Sequence, residues 1–169
     1  MFDVDGVAVL PGTRRSPSSN SWNAALQEDL GIDPGRLSAL FFAAAADGTA
    51  SAMERCATGK ADIAIELQPI LAELGHRGDV EDLLSYWFER DAYVDPQLLE
   101  SVDALRAHGY RCCLATSQEK RRASFLWETL RLSEHFDEMY CSANLGVSKK
   151  NPQFFRVVSD AENCADPLY

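Results

Sequence analysis

Two aspartates stand two residues apart near the start of the chain, in Asp3-Val4-Asp5-Gly6. Residues 1–10 read as the end of a buried strand running into a glycine turn. In open α/β sheets, ligands bind outside the carboxyl ends of the strands, where this pair would sit. Strict strand geometry would put both carboxylates on one face, but Gly6 lets the chain turn and re-aim the second. Two neighbouring carboxylates divide labour when their environments differ. One stays ionised as nucleophile or metal ligand, and the other carries a proton. The competing reading is an Asp pair that merely caps a turn before glycine.

Two further segments carry chemistry of a complementary kind. Leu114-Ala115-Thr116-Ser117 ends an apolar run in two hydroxyls. A hydroxyl at a strand tip can donate to a phosphoryl oxygen, helped by the backbone N–H groups of the helix that follows; the alternative is a simple N-cap for that helix. Gly146-Val147-Ser148-Lys149-Lys150-Asn151-Pro152 sets lysines just before a helix start. There a lysine can pair with a carboxylate nucleophile and neutralise phosphate, or else serve as solvated surface charge.

The elements that must position these residues follow from periodicity. Tyr110–Ala115 and Glu138–Ser142 are short apolar runs suited to parallel strands, while Glu119–Leu130 and Pro152–Val158 have helical spacing. Between the first and second motifs the pattern is helical almost throughout. Trp22, Ala25, Leu26 and Leu30 share a face ended by Gly31, and Leu37–Ala46 is a second apolar stretch. Ile63, Leu67, Ile70, Leu71 and Leu74 form a third helix, which Pro69 is expected to kink or interrupt. Val80, Leu83, Leu84 and Trp87 form a fourth, and Asp95-Pro96 opens a fifth through Leu105. Strand, long helical insertion, then alternating helix and strand describe an α/β fold: a Rossmann-like core with a parallel sheet, carrying an inserted helical cap. The expected division is a core of 1–12 and 97–169, with a cap of 13–96. Its hinges are the Pro- and Ser-rich tract Pro11–Ser19 and the region Val94–Pro96.

Composition sets the outer limits. The chain has 169 residues, 46% hydrophobic and 25% charged, with 26 acidic against 16 basic side chains and a net charge of -10. Nucleic-acid binding needs clustered lysine and arginine, which are missing, so no nucleic-acid partner is expected. No apolar run is long enough to span a membrane. The five cysteines are odd in number and scattered, which excludes a disulfide scaffold and fits free thiols in a reducing cytoplasm. Oligomeric state is not legible.

The three motifs in this order, DVDGV, LATSQ and LGVSKKNPQFF, resemble the haloacid dehalogenase-like (HAD) hydrolase superfamily, in its phosphatase-type branch with a helical C1-type cap. The resemblance spans the chain. It implies that Asp3 is the nucleophile, that Asp5 protonates the leaving group and then activates water, and that Asp3 and the Asp5 backbone carbonyl hold Mg²⁺. It implies Thr116 as the second-motif hydroxyl, Lys149 as the third-motif lysine of GxxKPxxxxF, and Gly6 and Ser117 at the substrate. A halide leaving group needs no general acid, so Asp5 favours phosphoryl transfer over dehalogenation. The implied activity is Mg²⁺-dependent hydrolysis of a small phosphorylated metabolite through an aspartyl-phosphate. A sugar phosphomutase of the same fold and a degenerate, non-catalytic relative are the alternatives. Arg14, Arg15 and Lys60 are cap cations that could meet substrate. Lys150 stands where the family has proline, so the two lysines could exchange roles. The family's fourth motif, an acidic metal-binding pair, is expected about two residues beyond Tyr169. Asp160, Glu162 and Asp166 precede that strand and would lie away from the site. On this reading the core is truncated at both ends.

Overall fold

A computed structural model describes residues 1–10, 21–44 and 46–164. Its central feature is a small parallel sheet. Strand β3 (Cys113–Thr116) pairs in parallel with β4 (Glu138–Cys141), Thr116 lying opposite Cys141. On the other side of β3, Phe2 makes a parallel bridge to Leu114, its N–H reaching the Cys113 carbonyl at 2.9 Å. The lateral order is therefore Phe2, β3, β4, with the middle strand buried on both faces. That burial explains why β3 reads as an unbroken apolar run rather than an alternating one.

Side chains alternate across this strand and set the layers. Leu114 joins Val4, Val102, Leu126, Leu132 and Phe136 in one apolar cluster, under α6 (Pro96–Ala107) and α7 (Lys120–Ser124, continued by a wider π turn over Phe125–Thr129). Ala115 faces the opposite way, onto Phe154 and Val158 of α9 (Pro152–Ala161). A short α8 (Ser142–Leu145) links β4 to the lysine loop.

A second apolar core lies among the helices before the sheet, which are α1 (Leu26–Leu30), α2 (Pro34–Leu37, continued by a π turn over Ser38–Phe42), α3 (Ala52–Ala57), α4 (Ile63–Glu73) and α5 (Val80–Arg90). It is built on Leu26, Phe41, Ile63, Leu67 and Leu83, with Trp22 stacked on Trp87. The chain passes between the two cores twice, and the passages run side by side. Strand β1 (Val9–Leu10) pairs antiparallel with β2 (Tyr93–Val94), and the Asp95 N–H reaches the Ala8 carbonyl. The proposed hinge Pro11–Ser19 lies outside the described residues. Asp95 caps α6 through a bond from Gln97 N–H, and Pro96 fills the first helical position.

Three local expectations are corrected. The first motif does run into a glycine turn, but the turn begins before Gly6: the chain folds back directly after Val4. The N–H groups of Val7 and Val9 both reach the Val4 carbonyl, and Gly6 takes a φ of +79°. The second strand starts at Cys113 rather than Tyr110. Tyr110 instead closes α6 by donating its N–H to the Leu105 carbonyl, and its side chain is exposed. Helix α4 is not interrupted at Pro69. Proline removes the donor to the Ile65 carbonyl, but Pro69 and Ile65 both face solvent, so water can serve that carbonyl. Buried Leu67 and Leu71 meanwhile hold the helix down on either side.

Candidate active site

The carboxyl ends of the three strand segments bring the first and third motifs into contact. Asp3 follows Phe2 at its strand end, and its Oδ1 accepts the N–H of Val4 at 2.8 Å. Its Oδ2 lies 2.7 Å from the Lys149 ammonium, which is largely buried. Lys149 reaches this position because α8 ends at Gly146 in the left-handed conformation, turning the loop back toward the sheet before Asn151 and Pro152 start α9. Lys150 is exposed. Of the two lysines it is Lys149 that meets Asp3, so the missing proline does not exchange them.

Asp5 sits in a different environment. The turn after Val4 directs it toward the second motif, where its Oδ2 accepts the side-chain N–H of Gln118 at 2.6 Å. The residue keeps a solvent-exposed edge, yet protein crowds its carboxyl. Loss of hydration raises its pKa above the ordinary value, with the charges of Asp91 and Asp3 adding to the rise while Arg122 and Gln118 oppose it. Thr116 is fully buried at the tip of β3, and its Oγ1 has no hydrogen-bond partner among the described residues. Such an orphaned hydroxyl costs free energy unless a ligand completes it. Ser117 beside it is exposed, and Gly6 takes up the turn directly after Asp5.

Three residues here escaped sequence reasoning. Gln118 is buried and bonded to Asp5. Arg122 is 3% exposed, lies against the mutually touching Phe88 and Phe125 rings, and donates to the Phe88 carbonyl at 2.9 Å and to the Asp91 carbonyl. Glu119, also buried, caps α7 by accepting the N–H groups of Arg121 and Arg122. The only signal for Gln118 was its place directly after the two hydroxyls. Nothing marked Arg122 within the run Lys120-Arg121-Arg122.

The helical layer closes down on this end of the sheet. The Ser142 hydroxyl donates to the Ala57 carbonyl at 2.6 Å. Gly59 approaches so closely that a Cβ there would lie 2.2 Å from the Ala143 carbonyl oxygen. Arg121 pairs with Asp62 and Glu81, tying the start of α7 to α4 and α5. Lys60 lines a cavity of about 270 Å³ with Asp62, Glu119 and Lys120, whereas Arg14 and Arg15 lie outside the described residues.

Among the described residues no group of three or more histidine, cysteine or acidic side chains is placed to hold a metal. Glu162 is engaged elsewhere, paired with Arg111 and accepting the Tyr140 hydroxyl at 2.5 Å. Asp160 lies in the last turn of α9, and Asp166 is outside the described residues.

No family's sequence pattern matches the chain, and no curated protein does. Solved structures do. A HAD family enzyme from Bacteroides thetaiotaomicron, an Asp-to-Ala variant in complex with magnesium and inorganic phosphate, superposes with a TM-score of 0.70 at 13% identity, over 96% of this chain and 76% of its own. The wild-type form of that enzyme, also with magnesium and inorganic phosphate, gives a TM-score of 0.56 at 16% identity, over 65% and 58%. A predicted HAD-like family hydrolase from Porphyromonas gingivalis gives 0.58 at 17% identity, over 96% and 74%. The parallel sheet flanked by helices, with its acids at the carboxyl end, is thus the α/β fold of the HAD-like enzymes.

Proposed function

We propose that the protein is a Mg²⁺-dependent phosphomonoester hydrolase that works through an aspartyl-phosphate on a small soluble substrate. One observation carries this reading. Two aspartates two residues apart meet different partners at the carboxyl end of the sheet, Asp3 the Lys149 ammonium at 2.7 Å and Asp5 the Gln118 amide at 2.6 Å, where burial raises the Asp5 pKa. Residues 13–96 act as the cap over a core of 1–12 and 97–169. The magnesium and phosphate found in the Bacteroides enzyme support the same chemistry.

The donors present fit Mg²⁺. This ion takes one or two carboxylates and completes its octahedron with water and phosphate oxygens. Asp3 would supply the carboxylate and the Asp5 backbone carbonyl a second oxygen. When bound, the ion offsets the negative charge of the phosphoryl group.

The chain's own residues perform the rest. Lys149 holds Asp3 in line and, with Thr116 Oγ1, binds the phosphoryl oxygens. A carboxylate oxygen of Asp3 attacks phosphorus, the P–O ester bond breaks, and Asp5 gives its proton to the departing alkoxide. Asp5, now a carboxylate, takes a proton from water as the water oxygen attacks phosphorus. The P–O bond to Asp3 breaks and inorganic phosphate leaves.

The test is phosphate release from p-nitrophenyl phosphate, with Mg²⁺ and with a chelator. Activity should require the metal and fall to background in Asp3→Asn. Turnover that survives Asp3→Asn overturns the nucleophile assignment, and turnover indifferent to the chelator overturns the metal.

A further inference from the structure

The Gln118 side chain hydrogen-bonds Asp5 from another part of the fold, and it is 5% exposed. Its backbone is held in place. The Gln118 carbonyl accepts the Cys141 thiol at 3.1 Å and lies 3.4 Å from the Ser142 hydroxyl, both at the end of the adjacent strand. The next residue, buried Glu119, is fixed as the cap of α7. The amide therefore projects from a rigid peptide into the space between the second motif and the turn at Gly6.

We propose that Gln118 is a positioning residue for the proton that Asp5 delivers and recovers. An amide N–H only donates, and a neutral carboxyl accepts best at its carbonyl oxygen. A donor fixed on Oδ2 thus leaves Oδ1 to bear the proton that passes to the leaving oxygen. Once Asp5 has given it up, the same N–H bonds a carboxylate, a stronger contact that needs no rearrangement. The proton taken from water then returns to Oδ1. The same neutral donor serves both half-reactions.

This inference rests on the phosphatase reading, and the experiment separates the two. The specificity constant kcat/KM reports the first half-reaction, in which the leaving group departs. General-acid help matters for an alkoxide and little for p-nitrophenolate, which leaves well unprotonated. In Gln118→Met, which keeps length and loses the donor, kcat/KM for n-butyl phosphate should fall about tenfold more than for p-nitrophenyl phosphate. The ratio of the two constants is independent of how much of a sample is folded. Gln118→Asn, which keeps the amide one methylene shorter, is the second variant if the first fails to fold. It should shift the ratio in the same direction. Equal losses on both substrates in whichever variant folds overturn the positioning role and leave Gln118 a packing residue. Wild-type turnover that survives Asp3→Asn instead refutes the underlying phosphatase reading.

Discussion

Replacing Gly59 by alanine tests how tightly the helical layer is seated on the sheet. The residue has a φ of +70°, and its Cβ would stand 2.2 Å from the Ala143 carbonyl oxygen and 3.2 Å from the carbonyl carbon. Real Cβ contacts essentially never fall under 3.0 Å, so the two backbones must part by at least 0.8 Å. Three effects then combine. The left-handed conformation costs a non-glycine residue roughly 1–2 kcal/mol, while the stiffer unfolded chain returns about 0.4–1 kcal/mol. Separation of the backbones adds an overpacking penalty of about 1–3 kcal/mol. It also strains the bond from Ser142 to the Ala57 carbonyl, worth about 1 kcal/mol.

Gly75 supplies the control. It too follows a helix, with a φ of +77°, but nothing lies within 4 Å of its Cβ position. Gly75→Ala should lose only the backbone part, about 1 kcal/mol. Gly59→Ala should lose about 2 kcal/mol more than that. Urea unfolding with linear extrapolation measures both. If the two variants agree within about 0.5 kcal/mol, the close approach to Ala143 does not exist in solution.

Other consequences can be checked with the same protein. Thr116→Val removes a buried hydroxyl that has no partner among the described residues. Stability in urea should hold or rise by up to about 1 kcal/mol while p-nitrophenyl phosphate turnover falls; a clear destabilisation would mean the hydroxyl is already bonded. Lys149→Met should cut turnover by about two orders of magnitude, and Lys150→Met should leave it within about twofold. Similar losses in both would contradict the contact of Lys149 with Asp3. Glu162 is held below its ordinary pKa, chiefly by its bonds from Arg111. Its folded value being depressed, its contribution is fully present above an unfolded value of about 4.3 and is lost as pH falls through the folded value. Glu162→Gln should therefore flatten the acid limb of the stability curve, and an unchanged slope would show that the pair with Arg111 is not formed.

What the sequence disclosed and what it hid divide along a physical line. The motif order, the buried strand at β3 and the caps at Asp95-Pro96 and Asn151-Pro152 depend on residues close in the chain, where residue type and spacing determine the outcome. The turn after Val4 was only half legible, because Gly6 announces a positive φ but not that Val4 will accept two N–H groups. The partner of Asp5 was hidden for a different reason. Asp5 and Gln118 are 113 residues apart and meet only because Phe2 bridges Leu114 on one edge of the strand that ends at Thr116. Arg122 was equally hidden, since a cation in a basic run reads as solvated charge until Phe88, Phe125 and the Asp91 carbonyl surround it. The division has a chemical consequence. Which residue types are needed for phosphoryl transfer is written in short local motifs, but the environment around Asp5 is not. That environment comes first from burial, which raises the Asp5 pKa, and then from Arg122, Asp91 and Gln118, and so from the sheet and helical layer that bring them to one place.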